Sequence, residues 1–188
     1  RILRIRLVLE SDQPLEAFQP CVYICNHQDN LDVFVFGGLF PGNTVVVGKK
    51  EIGWIPFFNL FYIAGGNILL DRKNRMRAIA GIREAGRLVQ RLGRSVMIFP
   101  EGTRNRSGVG LLPFKKGAFH LAVAGQLPLV PLVASPLAPL VDYRTKRITP
   151  GVIRVRRLEP ISTQGLTDEA LPDLMQTARE RMLAEFEK

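Results

Sequence analysis

The sequence has 188 residues, enough for one domain with a sizeable core and too few for two, and its 46% of hydrophobic residues exclude a disordered chain. A count of 26 Lys and Arg against 17 Asp and Glu leaves a formal net charge of +9, which favours anionic partners: nucleic acid, acidic lipid surfaces or phosphorylated substrates. Only two cysteines and two histidines, His27 and His120, are available, so a zinc site is not expected and no metal is assigned.

The chain opens on Arg1 rather than methionine, which suggests a fragment, so that any upstream signal or membrane-anchoring segment lies outside it. "RILRIRLVLE" alternates arginine with aliphatics and reads as a strand, at a sheet edge. "CVYIC" (21–25) is the next; its two cysteines would stand about 13 Å apart along a strand, beyond disulfide reach. Further short β-type runs are "TVVVG" (44–48), "NILL" (67–70), "SVMIF" (95–99), "LVPLVA" (129–134) and "VIRVRR" (152–157). Helical periodicity runs from about Arg75 to Leu92, with Met76, Ile79, Ala80, Leu88, Val89 and Leu92 on one face. It returns at the C-terminus through Leu171, Leu174, Met175, Ala178, Met182 and Phe186. Strands alternating with helices predict a single layered α/β domain over 1–188, with a mostly parallel or mixed sheet of about seven strands flanked by helices. Residues 52–70 approach the length of a membrane span, but Pro56, Asn59, Gly65, Gly66 and Asn67 interrupt them, so they read as core.

Three polar segments at strand ends carry candidate chemistry. In "CNHQDNLD" (25–32), His27 and Asp32 are five apart, a poor spacing within one helix. The pair works if His27 lies in the turn after strand 21–25 and Asp32 in the first helical turn. Asp32 then fixes the imidazole tautomer while the other nitrogen faces a cleft, the base-and-orienter half of a triad. A histidine that merely caps a helix is the plainer alternative. Cys25 is a possible nucleophile, although a strand-end cysteine is expected to point into the sheet. In "IFPEGTRNRSG" (98–108), the amides beside Gly102, the Thr103 hydroxyl and Arg104 suit a phosphate cradle. Glu101 is expected to pair with Arg104 and stiffen that loop, and Lys115 or Lys116 to add a cation; His120 reads as packing. In "GGNILLDRKNR" (65–75), Arg72 is a second phosphate candidate and Asp71 a helix cap. Between these, Trp54, Phe57, Phe58, Phe61 and Tyr62 recur at helical steps after Lys49 and Lys50. That stripe faces either the core or a bilayer surface, where aromatic rings and nearby cations are both favoured.

Taken in this order, the segments resemble the glycerolipid acyltransferases, specifically the lysophosphatidic acid acyltransferases. His27 to Asp32 matches the family's His-x-x-x-x-Asp motif, "GGNILLDR" its second, "FPEGTR" its third and "LVPLV" (129–133) its apolar-proline fourth, over roughly residues 20–135. "GKKEIGWIPFF" and "LLPFKKGAF" are similar to the bacterial branch. The resemblance implies His27 as general base, Asp32 as its orienting partner, and Glu101, Gly102, Thr103 and Arg104 with Arg72 as the acceptor's phosphate site. It associates the segment around Val130 and Pro131 with the acyl chain. The implied reaction is direct acyl transfer from acyl-CoA or acyl carrier protein, as donor substrates, to lysophosphatidic acid. It needs no cofactor, takes place at an anionic membrane surface on the cytoplasmic face of the inner membrane, and involves no nucleic acid. Alternatives left open are another acceptor, such as glycerol-3-phosphate or another lysolipid, a serine or cysteine thioester hydrolase, and a non-enzymatic basic membrane-binding module.

Overall fold

A computed structural model describes residues 5–54, 58–70, 75–107, 109–142, 145 and 147–188. Among the described residues the strands are β1 (Ile5–Glu10), β2 (Val22–Cys25), β3 (Thr44–Lys49), β4 (Ile68–Leu70), β5 (Ser95–Ile98), β6 (Leu129–Ala134), β7 (Val141–Asp142), β8 (Arg147–Ile148) and β9 (Gly151–Arg157). The helices are α1 (Asp32–Gly37), α2 (Phe58–Ala64), α3 (Arg75–Arg91), α4 (Gly117–Gly125) and α5 (Leu171–Phe186), with a short 3-10 turn over Lys50–Trp54 before α2.

Seven strands form one sheet in the order β1-β9-β6-β2-β5-β3-β4. β6, β2, β5, β3 and β4 are mutually parallel, while β9 runs antiparallel to β6 and takes β1 with it as a parallel partner. The mixed α/β sheet of seven strands is as expected, and β1 does lie at an edge. The central strands β2, β5 and β6 are buried at every position, as continuous apolar runs in a sheet covered on both faces should be. β9 alternates instead: Ile153, Val155 and Arg157 turn inward while Arg154 and Arg156 face solvent.

On one face, Val22, Ile24, Val96 and Ile98 meet α3, α4 and α5; on the other, Cys21, Tyr23, Cys25 and Met97 meet Val35 and Phe36 of α1. The inward side of α3 differs from the periodicity reading. Ile82, Gly86 and Val89 are buried, whereas Met76, Leu88 and Leu92 are exposed. The reason is a glycine contact that a count of apolar residues passes over. A Cβ on Gly86 would stand 2.3 Å from the Leu121 carbonyl oxygen, and one on Gly125 2.6 Å from the Gly86 carbonyl. The α3 and α4 backbones thus touch where neither has a side chain, and that contact fixes which side of α3 faces in.

Because five strands are parallel, the segments leaving their C-terminal ends line one edge of the sheet. That edge carries the turn after β2, the loop 99–116 after β5 and the segment after β6.

Candidate active site

β2 ends at Cys25, and the next residue keeps the sheet's hydrogen bonding going with its side chain. Asn26 Nδ2 donates to the Ala134 carbonyl at 3.0 Å, and Asn26 Oδ1 accepts the Ala134 N–H at 2.8 Å. The backbone can therefore leave the sheet at its centre without stranding β6. Gln28 adds a second hold: Nε2 donates to Ser135 O at 3.0 Å and Oε1 accepts the Leu137 N–H at 3.0 Å. Between these two amides stands His27.

His27 Nδ1 lies 2.6 Å from Asp32 Oδ2, and Asp32 is wholly buried in the first turn of α1. The same carboxylate oxygen accepts the N–H groups of Gln28 (2.6 Å) and Asp29 (2.9 Å), which hold it in place. A carboxylate at Nδ1 puts the imidazole proton there and leaves the Nε2 lone pair free to take a proton. The ring stacks on Phe99 at 4.0 Å between centroids and 13° between planes, and the side chain stays 18% exposed. The turn and the helix start are as the spacing of five predicts, with the Asp32 carboxylate at Nδ1.

Glu101 departs from expectation. It is buried, and its carboxylate turns away from Arg104: Oε1 accepts the His27 N–H at 2.8 Å and Oε2 the Leu112 N–H at 2.9 Å. Burial raises its pKa, and those two amide donors oppose the rise. The His27 carbonyl in turn accepts the Asn105 N–H at 2.7 Å. Glu101 thus braces the histidine's backbone and offers no surface for a phosphate. Arg104 bonds instead to Asn30 Oδ1, in the turn after His27.

Gly102 adopts φ +68°, and a Cβ there would meet the Lys115 side chain at 3.0 Å; the lysine stem lies directly over the glycine. Thr103 is exposed beside it. A cleft of about 520 Å³ opens along this edge between Gln28, Asn30, Arg104, Arg106, Leu137 and Val141. Sequence reasoning does not single out Gln28, Asn30 or Arg106; the side-chain amides that follow His27 and the second arginine of "TRNR" are the signals that would have found them.

Other candidates fall elsewhere. Arg72 and Phe57 lie outside the described residues, as do the side chains of Phe58 and Phe61. Trp54 is 80% exposed, but Tyr62 turns inward and donates its hydroxyl to the Val46 carbonyl at 3.1 Å, so the aromatic stripe is split. Val130 and Pro131 are buried within β6 and reach no surface. Pro131 sits where the ladder to β9 ends: Leu158 donates to its carbonyl at 2.9 Å, and the Leu158 carbonyl takes an Arg157 guanidinium N–H at 3.1 Å in place of the missing proline N–H. Cys25 is fully buried and its thiol pKa is pushed well up by desolvation, which suits no nucleophile. His120 is buried in α4, with Nδ1 3.2 Å from Asp168 Oδ1. Among the described residues no three His, Cys, Asp or Glu side chains gather so as to hold a metal ion, and no helix is long and apolar enough to cross a membrane.

The profile of the acyltransferase family matches residues 6–135. A 1-acyl-sn-glycerol-3-phosphate acyltransferase from Escherichia coli is 38% identical over 187 residues, covering 97% of this chain and 75% of that protein. The enzyme of the same name from Saccharomyces cerevisiae is 39% identical over 168 residues, covering 89% of this chain and 55% of its own length. The human alpha form is 37% identical, with 97% and 64% covered. The chain thus spans little more than half of the yeast relative. The crystal structure of the 1-acyl-sn-glycerophosphate acyltransferase from Thermotoga maritima superposes with a TM-score of 0.75 at 24% identity, over 98% of this chain and 73% of that one, and shares the fold. With the histidine and aspartate of its first motif in bonding contact and its third motif bracing them, the chain belongs to the acyltransferase family, alongside the 1-acyl-sn-glycerol-3-phosphate acyltransferases.

Proposed function

We propose that this chain transfers a fatty acyl group from an acyl thioester, acyl-CoA or acyl carrier protein, to the free hydroxyl of lysophosphatidic acid, giving phosphatidic acid. The observation that carries the reading is the His27–Asp32 contact at 2.6 Å with no serine, threonine or cysteine bonded to the ring among the described residues. A base and its orienter without a protein nucleophile fit a reaction whose nucleophile is the substrate's own hydroxyl. His27 Nε2 takes the hydroxyl proton as the oxygen attacks the thioester carbonyl. The tetrahedral intermediate collapses by breaking its C–S bond, and the thiolate leaves, recovering a proton from the imidazolium. Asp32 stabilises the imidazolium between those steps. Arg104 and Arg106 at the adjoining cleft suit the acceptor's phosphate, with Lys115 and Thr103 beside them and Arg72 as a further ligand.

A membrane surface is the proposed working place. Exposed Val33 and Phe34 in α1, Trp54, Leu60 in α2, Met76 in α3 and Val109 all stand on segments that leave the C-terminal ends of parallel strands, the edge that holds His27. Exposed Lys50, Arg106, Lys115 and Lys116 occupy the same edge, which suits an anionic lipid surface and, with thioester donors made in the cytoplasm, the cytoplasmic face. The test offers the purified protein, in detergent and in liposomes, a panel of lysophosphatidic acid, other lysolipids and glycerol-3-phosphate with acyl-CoA or acyl carrier protein, and identifies products by mass. Phosphatidic acid formed by the native chain and lost in His27→Ala supports the reading; preferential acylation of another acceptor replaces lysophosphatidic acid, and thioester hydrolysis alone overturns transfer.

A further inference from the structure

The family match ends at residue 135, yet a side chain from the C-terminal helix reaches the brace behind His27. Arg179 projects from α5 next to Ala178, which is fully buried against the core and fixes the register of that turn. Its Nη2 donates to the Leu111 carbonyl at 2.8 Å and its Nε to the Leu112 carbonyl at 3.4 Å. The Leu111 carbonyl and the Leu112 N–H belong to one peptide unit, and that N–H donates to Glu101 Oε2 at 2.9 Å. A guanidinium at the oxygen and a carboxylate at the N–H polarise the peptide in the same sense, so each bond strengthens the other. The other oxygen of Glu101 accepts the His27 N–H at 2.8 Å.

We propose that Arg179 is a positioning residue for His27, acting through the Leu111–Leu112 peptide and the Glu101 carboxylate. The geometry suits arginine: two separated nitrogens of one planar fork each donate to one of two successive carbonyls, whereas an ammonium would have to reach both from a single nitrogen on a flexible stem. It also gives α5, which lies beyond the four family motifs, a part in the site. Without the guanidinium the loop between Glu101 and α4 loses its outer anchor, Glu101 is held by a less polarised donor, and the histidine's backbone is free to shift. In a reaction that depends on near-attack geometry, a small shift is felt in turnover rather than in binding.

The inference rests on acyl transfer at His27, so the test pairs kinetics with a readout that needs no substrate. Arg179→Met, Arg179→Lys and, as a control on an exposed position of the same helix, Arg181→Met are compared with the native chain. The measurements are kcat, KM for donor and acceptor, and the amide proton shifts of His27 and Leu112 by NMR. Expected for Arg179→Met is a fall in kcat of about tenfold, as for partial loss of a charge-assisted hydrogen bond, with both KM values nearly unchanged. The two amide resonances should move upfield, Arg179→Lys should recover part of both effects, and Arg181→Met should show neither. Unmoved amide resonances, an unchanged kcat despite moved resonances, or an equal loss in Arg181→Met would each overturn the proposal. If no donor and acceptor pair supports turnover, the acyl-transfer reading fails by itself while the amide shifts still decide whether the relay exists. Should Arg179→Met not fold, Arg179→Lys decides, its amides expected to move part of the way.

Discussion

Asn26 pairs with Ala134 as one peptide group pairs with another, its side-chain amide giving Nδ2–H to the carbonyl at 3.0 Å and taking the N–H at 2.8 Å, with both residues fully buried. The Ala134 carbonyl also receives Gln28 Nε2 at 3.3 Å, whereas Asn26 Oδ1 is the side-chain acceptor that the Ala134 N–H meets. Asn26→Ala should therefore strand one buried donor and cost about 1–3 kcal/mol of stability. Urea unfolding measures it. A loss within a few tenths would mean that the end of β6 repairs itself.

Replacing the base should be far more damaging to turnover than to folding. His27→Ala is expected to lower kcat by about 10²- to 10⁴-fold. Asp32→Asn should lower it too, since the amide gives no charge to balance the imidazolium. Cys25→Ser and His120→Ala should remain active, because the His27 ring is held by Asp32 and Phe99 and His120 pairs with Asp168. Steady-state kinetics with the product panel checks all four, and near-normal kcat in His27→Ala would end the mechanism.

Glu101 makes a pH prediction of definite sign. Its pKa is raised in the folded state by burial, above the ordinary 4.5, so folding favours its protonated form. Its contribution to stability is thus greatest below 4.5 and is lost as pH rises through the folded value. Glu101→Gln cannot titrate, and comparing the two proteins cancels Glu10 and Asp12, whose pKa values are lowered by their arginine partners. The stability of the native chain relative to Glu101→Gln should rise as pH falls toward 4.5. Urea midpoints at several pH values test this; a flat or opposite trend refutes the assignment.

Two glycines of α3 should respond oppositely to alanine. At Gly81 a Cβ meets nothing within 4 Å, so Gly81→Ala should gain up to about 1 kcal/mol from helix propensity. At Gly86 the Cβ would stand 2.3 Å from a backbone oxygen of α4. Overpacking typically costs about 1–3 kcal/mol and outweighs the same propensity gain. Thermal unfolding of the two variants side by side shows whether the signs differ.

Trp54 is the sole tryptophan and is 80% exposed, so its fluorescence reports on the proposed lipid-facing edge alone. Anionic vesicles should shift the emission to the blue and slow quenching by iodide, with both effects weakened by high salt. An unchanged spectrum while the protein sediments with the vesicles would place the contact elsewhere.

Elements specified by local signals are legible in the sequence, and those decided by remote contacts are not. β6 and α5 were legible almost to the residue, because continuous apolar runs and 3.6-residue spacing are local signals. The His27–Asp32 pair was legible for the same reason: its geometry is decided within one turn. The face of α3 was misread because glycine at position 86 packs by having nothing to pack, and hydrophobic counting gives it no weight. Glu101 was assigned to Arg104 on nearness in sequence, whereas its partners are backbone groups of His27 and Leu112 that only the fold brings to it. Tyr62 and Trp54 share a periodicity but not an environment, since the hydroxyl of one finds a strand carbonyl while the other remains on the surface.

The strand order has a consequence for how the chain acquires its activity. The proposed catalytic pair is five positions apart, but what holds its backbone is remote: Glu101 is 74 positions away from His27, and Ala134 is 108 from Asn26. β2 emerges early in synthesis and has neither sheet neighbour until β5 and then β6 have been made. Loop closure over such spans precedes any reward from the contacts, which slows folding in chains of high contact order. During translation the histidine and aspartate are therefore present long before they are a site. Under the proposed mechanism, the base is expected to become competent only after β5 and β6 have closed on β2, when most of the sheet is in place.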